Sequence, residues 1–201
     1  LASGPRCDVV CSFGGILAAG TASASEGSIV CQAPRNPAAD GAILLLLVSL
    51  NRQQFSAGTS VFSYTSASAL SEVVPSSGPV LGSTTLLVTA FGNPFVNASG
   101  LGGGDDYTCR FVSVSGLAHV VNATYLEEVD KVTCIAPPVG VATAGAYNLS
   151  VSLNRQNYRR ALPYVFYPSP QQNSVCPTSG PIAGGTILTI RGTHLGGGNN
   201  Y

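Results

Sequence analysis

Most of this chain is written twice. "CSF" from Cys11 recurs as "CRF" from Cys109, "VCQAP" from Val30 as "TCIAP" from Thr133, and "VSLNRQ" from Val48 as the same six letters from Val151. "PSSGPVLGSTTLLV" from Pro75 recurs as "PTSGPIAGGTILTI" from Pro177, and "LGGGDDY" ending at Tyr107 as "LGGGNNY" ending at Tyr201. The matches keep one order, and the period is about 100 residues. Self-similarity on that scale decides the architecture before any single element is read.

Between the punctuating Gly, Pro, Asn and Asp clusters the segments are short, β-branched and alternating, as in "TLLVTAF", "YNLSVSL" and "GTILTIRG". No stretch keeps a helical period. Short strands spaced by roughly ten residues, a unit of about 100 residues and one cysteine pair per unit describe an immunoglobulin-like β-sandwich. The expected class is therefore all-β, with tandem immunoglobulin-like sandwiches.

Composition narrows the setting. Charged residues make up 9% of the 201, against about 25% in an average soluble domain. Lys131 is the sole lysine and the formal net charge is zero, so no electrostatic footprint for nucleic acid or an anionic membrane is present. The apolar run from Ala42 to Leu50 falls well short of the ~20 residues a membrane-spanning helix needs, and no membrane insertion is expected. A start at Leu1 and the absence of methionine read as a processed product or a segment of something longer. The cysteines stand at 7, 11, 31, 109, 134 and 176. None forms a close Cys-x-x-Cys pair, and the wide spacings suit disulfides made in an oxidising, extracellular compartment. Acceptor sequons at Asn97, Asn122 and Asn148 agree with that compartment.

The order P-x-S-G-P-x-x-G-x-T-x-L, C-x-F, V-x-C-x-A-P, V-S-L-N-R-Q and a closing V-F-x-Y resembles the IPT/TIG family, the immunoglobulin-like domains shared by plexins, transcription factors and many large cell-surface proteins. The resemblance covers nearly the whole chain. It implies an E-set sandwich in which the Pro-x-Ser-Gly-Pro segment opens the domain and Leu-Asn-x-Gln leads into its last hairpin. Residues 1–72 then resemble the later part of one domain, 73–174 a complete domain, and 175–201 the opening strands of a further one.

That phase makes the two ends complementary pieces of one sandwich, and half a sandwich exposes strand edges and one apolar face. Completion is expected either from more of the same polypeptide or from the next copy of the protein, and non-closing head-to-tail contacts give an open filament. Cys11 with Cys31 and Cys109 with Cys134 occupy equivalent places and are expected as the internal disulfide of each repeat. Cys7 and Cys176 have no counterpart in the central repeat and are candidates for a disulfide between units, with two free thiols as the alternative.

In the S-L-N-R-Q strands, Tyr147, Leu149, Val151 and Leu153 are expected to face the core, as are their partners Leu44, Leu46, Val48 and Leu50. Asn148 and Ser150 are then expected to face water, with a glycan on Asn148. Leu45 and Leu47 take the same positions in the other repeat, and two exposed leucines where the sibling is polar mark an expected interface with another domain or protomer.

No catalytic constellation is found. His119 and His194 lack partners at metal-site spacing, Glu127, Glu128 and Asp130 read as a solvated turn, and "GGGDD" at 102–106 reads as a flexible glycine turn rather than a phosphate or calcium loop. Arg52 and Arg155 are expected to anchor their hairpin through backbone carbonyls. No cofactor or enzymatic activity is expected. The expected partners are further copies or repeats of the chain, together with N-linked glycans and O-linked ones on the Ser/Thr-rich linkers "SAGTSVFSYTSASALSE" and "YPSPQQNS". The expected function is a structural repeat unit of a glycosylated extracellular filament or surface fibre. The alternative is a segment of a large receptor or adhesin ectodomain that binds protein or carbohydrate.

Overall fold

The structure, a computed structural model, describes residues 9–36, 41–65, 69–91 and 101–196. Among them the regular structure is β apart from two short 3-10 turns, Glu127–Val129 and Val141–Thr143. The chain divides into two compact units, Leu1–Ser66 and Ala67–Tyr201.

The first unit is one antiparallel sheet of five strands: β1 (Val10–Phe13), β2 (Ile16–Ser23), β3 (Ser28–Cys31), β4 (Ile43–Ser49) and β5 (Val61–Ser63), in the order β3-β2-β1-β4-β5. Gly14 and Gly15, at φ of 58° and 97°, close the β1–β2 hairpin, since a two-residue connection of matching twist needs positive φ at both positions. Val9, Val10, Cys11 and Phe13 are buried. Phe13 meets Phe62 edge-on at 5.2 Å, and Phe62 meets Tyr64 at 5.0 Å.

The second unit contains a sandwich of eight strands: β6 (Leu70–Val74), β7 (Ser77–Pro79), β8 (Thr85–Ala90), β9 (Thr108–Ser113), β10 (Ala118–Leu126), β11 (Lys131–Ile135), β12 (Gly145–Ser152) and β13 (Leu162–Tyr167). Their order is β6-β8-β11-β10-β9-β12-β13-β7. Strand β10 serves both layers: Ala118–Asn122 ladder with β9, and Ala123–Leu126 with β11. The inward, alternate residues fill the space between layers with Leu86, Val88, Phe111, Val132, Leu149, Val151, Tyr164 and Phe166, all essentially inaccessible. Burial of this kind stabilises by roughly 1.5–3 kcal/mol per large side chain before chain entropy is counted. Short β7 runs parallel to β13 and closes that edge.

Beyond the sandwich, β14 (Gln171–Cys176) pairs antiparallel with β15 (Thr189–Thr193). Two correspondences emerge. The five strands of the first unit have the order of the middle five of the sandwich, β11-β10-β9-β12-β13, and the β14–β15 hairpin repeats the antiparallel pairing of β6 with β8. The ladders of β6 and β14 begin at Leu70 and Gln171, a few residues ahead of the boundaries read from the repeats at 73 and 175.

Candidate functional site

Cys11 and Cys31 form a disulfide between β1 and β3, and Cys109 and Cys134 form one between β9 and β11, with Cα–Cα distances of 6.3 and 6.4 Å. Each joins strands separated by an intervening neighbour in the strand order, tying together elements that no backbone ladder connects. Cys176 is an exposed free thiol at the end of β14. Cys7 lies outside the described residues, as does the sequon at Asn97. Asn122 and Asn148 are exposed.

The S-L-N-R-Q frame folds the same way in both places. Asn51 Oδ1 accepts from the backbone N–H groups of Gln53 and Gln54, at 3.0 and 3.1 Å. Asn154 Oδ1 accepts from those of Gln156 and Asn157, at 3.2 and 2.9 Å. The asparagine side chain thus stands in for a backbone acceptor, and the next residue takes a left-handed conformation, with φ 62° at Arg52 and 59° at Arg155. Arg155 reaches side chains rather than the carbonyls expected from sequence: Nε donates to Asp106 Oδ2 and Nη2 to Asn122 Oδ1, both at 2.9 Å. The left-handed turn sends the guanidinium outward, toward the glycine loop and the sequon, away from its own hairpin.

That glycine loop is anchored. The backbone N–H groups of Asp105 and Asp106 both donate to Leu153 O. Tyr107 Oη donates to Leu101 O at 2.8 Å and accepts from Gly104 N at 2.9 Å. The Tyr107 ring stacks on Tyr125 at 5.7 Å, and Tyr125 Oη donates to Asp130 Oδ1. Burial, with that carboxylate as the acceptor, pushes the Tyr125 phenol up to about 12. Burial likewise raises Tyr107 and pushes Tyr164 up to about 12. All three phenols are protonated at neutral pH, and those of Tyr107 and Tyr125 act as hydrogen-bonding anchors. Among the described residues no group of three or more His, Cys, Asp or Glu is placed to hold a metal ion, and no helix is long and apolar enough to cross a membrane.

The leucine strand departs from its sequence reading. Leu45 is exposed, but Leu47 is only half-buried and Ser150 is buried rather than facing water. The cause is cover on the outer face. Ser150 sits opposite Arg110 in the β12–β9 ladder, and the Arg110 guanidinium lies 3.8 Å over the Tyr158 ring, a stack on the face that period-two alternation assigns to solvent. The core-facing set is met in the sandwich, where Tyr147, Leu149, Val151 and Leu153 are buried. In the first unit, Leu44, Leu46 and Val48 are half-buried and Leu50 is exposed.

The apolar face expected of a half sandwich is present on the C-terminal hairpin. Ile182 is fully exposed, and Leu188, Ile190 and Leu195 are 53, 51 and 44% exposed. Their repeat partners Val80, Leu86, Val88 and Leu101 are exposed by 1% or less. The signal lay in the repeat itself, because residues that twin with core positions need an equivalent cover. The hairpin also carries a cleft of about 410 Å³, lined by Pro177, Ser179, Gly180, Pro181, Thr186 and Leu188 among others.

Similarity to known proteins follows the fold. The family model described as IPT/TIG domain matches residues 170–201. Over 130 residues, 64% of this chain, the sequence is 31% identical to Plexin-B1 of Homo sapiens, a stretch amounting to 6% of that protein. A solved structure of the plexin A4 full extracellular region, domains 1 to 10, superposes with a TM-score of 0.57 over 87% of this chain and 16% of that one. At 16% identity the second likeness is one of fold. The chain thus spans a small fraction of the length of the relatives it matches.

Proposed function

We propose that this chain, whose residues 170–201 match the IPT/TIG domain model, is a segment of a large cell-surface receptor ectodomain, a run of rigid sandwiches that spaces and presents protein-binding surfaces outside the cell. The observation that carries this reading is the disulfide-tied immunoglobulin-like sandwich in a chain similar in sequence to a plexin over 64% of its length. Exposed Asn122 and Asn148 suit N-glycosylation of such a surface, and the Ser/Thr-rich linker suits O-linked sugars. The role is one of binding and spacing rather than catalysis.

The test is the size and location of the native polypeptide. An antibody raised against the sandwich should label intact, unpermeabilised cells that make the protein and detect a membrane-associated polypeptide many times longer than 201 residues. A soluble product of about this length inside the cell would refute the reading. A second reading, a protomer of a head-to-tail fibre, is favoured by the first unit sharing the strand order of the sandwich's middle five while the hairpin repeats its β6–β8 pair. An extracellular polypeptide of about this length, recovered in polymers, would select it.

A further inference from the structure

We propose that the outer face of the β6-β8-β11 layer docks on the same face of a second copy of this chain, about a two-fold axis that runs along β8. Alternation builds the face. Val73, Leu86, Val88, Val132 and Cys134 are buried in the core, so Glu72 and Val74 of β6, Leu87 of β8, and Lys131 and Ile135 of β11 take the opposite side. Val74, Leu87 and Ile135, which are 47, 37 and 58% exposed, make it apolar. This is the outside of a sandwich whose two layers are both present, not an inner face awaiting a second layer.

The charges on this face identify the occupant. Glu72 stands opposite Thr89, and the β8–β11 ladder, continued one residue past Val88 and Val132, brings Thr89 level with Lys131. One row thus carries a carboxylate on one side and an ammonium on the other, two strand spacings or about 10 Å apart. Neither has an ion-pair partner among the described residues. A two-fold axis along β8 lays β6 of one copy over β11 of the other, so Glu72 of each meets Lys131 of the other, Leu87 meets Leu87, and Val74 meets Thr133. The contact is isologous, and the face is complementary to itself in charge as well as in apolarity. The repeats do not share this chemistry: the equivalents of Glu72, Lys131, Leu87 and Ile135 are Ser174, Ser28, Thr189 and Gln32. The other layer is the one that bears sequons. Asn122 and Asn148 stand opposite Thr108 and Val112 of β9, so glycans there leave the β6-β8-β11 face bare. Three strands of five or six residues cover roughly 15 by 20 Å, at the small end of specific interfaces, and the pairing is weak and reversible.

The test uses the whole chain carrying Cys7→Ser and Cys176→Ser, so that no thiol outside the two internal disulfides contributes, and reads mass by sedimentation across a range of concentrations. The expected result is an equilibrium between the 20.4 kDa monomer and a dimer that weakens as salt rises. E72K and K131E each set like charges against one another across the axis and should weaken dimerisation at least about tenfold. An equimolar mixture of the two should dimerise again, since a row with two positive groups then faces a row with two negative ones. L87D should abolish the dimer with the sandwich's thermal unfolding unchanged. Monomers at every concentration, association that survives E72K or L87D, or a mixture no more associated than its two components would each overturn the pairing. These outcomes are independent of the length and location of the native polypeptide, on which the receptor reading rests.

Discussion

The β6–β8 pair and the β14–β15 hairpin are built around one sequence frame in two situations. Both follow the Pro-x-Ser-Gly-Pro-x-x-Gly frame, both pair antiparallel, and Gly78 and Gly180 each sit tightly against a threonine, Thr84 and Thr186. In one, Leu86 and Val88 are wholly inaccessible; in the other, Leu188 and Ile190 are more than half exposed. Local sequence thus sets the hairpin, while burial depends on whether a second layer lies over it. An isolated two-stranded hairpin gains little stability in water, so the same letters contribute strongly to one fold and weakly to the other.

Substitutions at twin positions should widen or erase that contrast. The largest effect is expected at Leu86, where Leu86→Ala should cost the sandwich about 2–5 kcal/mol, whereas Leu188→Ala should shift stability by no more than about 0.5 kcal/mol. Urea unfolding of the two variants measures both, and equal losses would mean that the hairpin is covered after all. Replacing Cys109 and Cys134 together by alanine should lower the sandwich's stability by about 2–4 kcal/mol, read as a fall in its unfolding midpoint. A midpoint that holds would show that the inter-layer tie adds nothing to the packed core.

Gly78→Ala should cost about 1–3 kcal/mol through overpacking, because its new methyl meets both Tyr164 and Thr84. Gly180→Ala should cost less, since the exposed Thr186 side chain can rotate away; thermal melts of the pair test the difference. The smallest expected effect is at Arg155, whose ion pair with Asp106 is about half exposed on both sides. Arg155→Ala should change stability by about 0–1 kcal/mol. A larger loss in chemical denaturation would mean that the guanidinium organises the glycine loop as a whole.

Several features were legible in the letters. The repeat paired the cysteines by equivalence, and the structure has those two disulfides. Alternation in "YNLSVSL" gave the inward face of β12, where Tyr147, Leu149, Val151 and Leu153 are buried. Other features were not legible, for a common reason. Ser150 is buried by an arginine–tyrosine stack contributed by residues 40 positions upstream and 8 downstream, and strand alternation carries no information about what crosses the outer face. Arg155 finds Asp106 and Asn122 because a left-handed turn aims it there, a direction fixed by three-dimensional placement rather than by residue type.

By itself, the sequence determined the strand class, the repeat and the turn chemistry of the Asn-Arg-Gln frame, because each depends on backbone preference and on neighbours a few residues away. Only the tertiary structure decided which apolar faces are covered: Leu86 and Leu188 have the same side chain on the same local frame, and removal from water is a property of what packs over a residue, which can come from anywhere along the chain or from outside it.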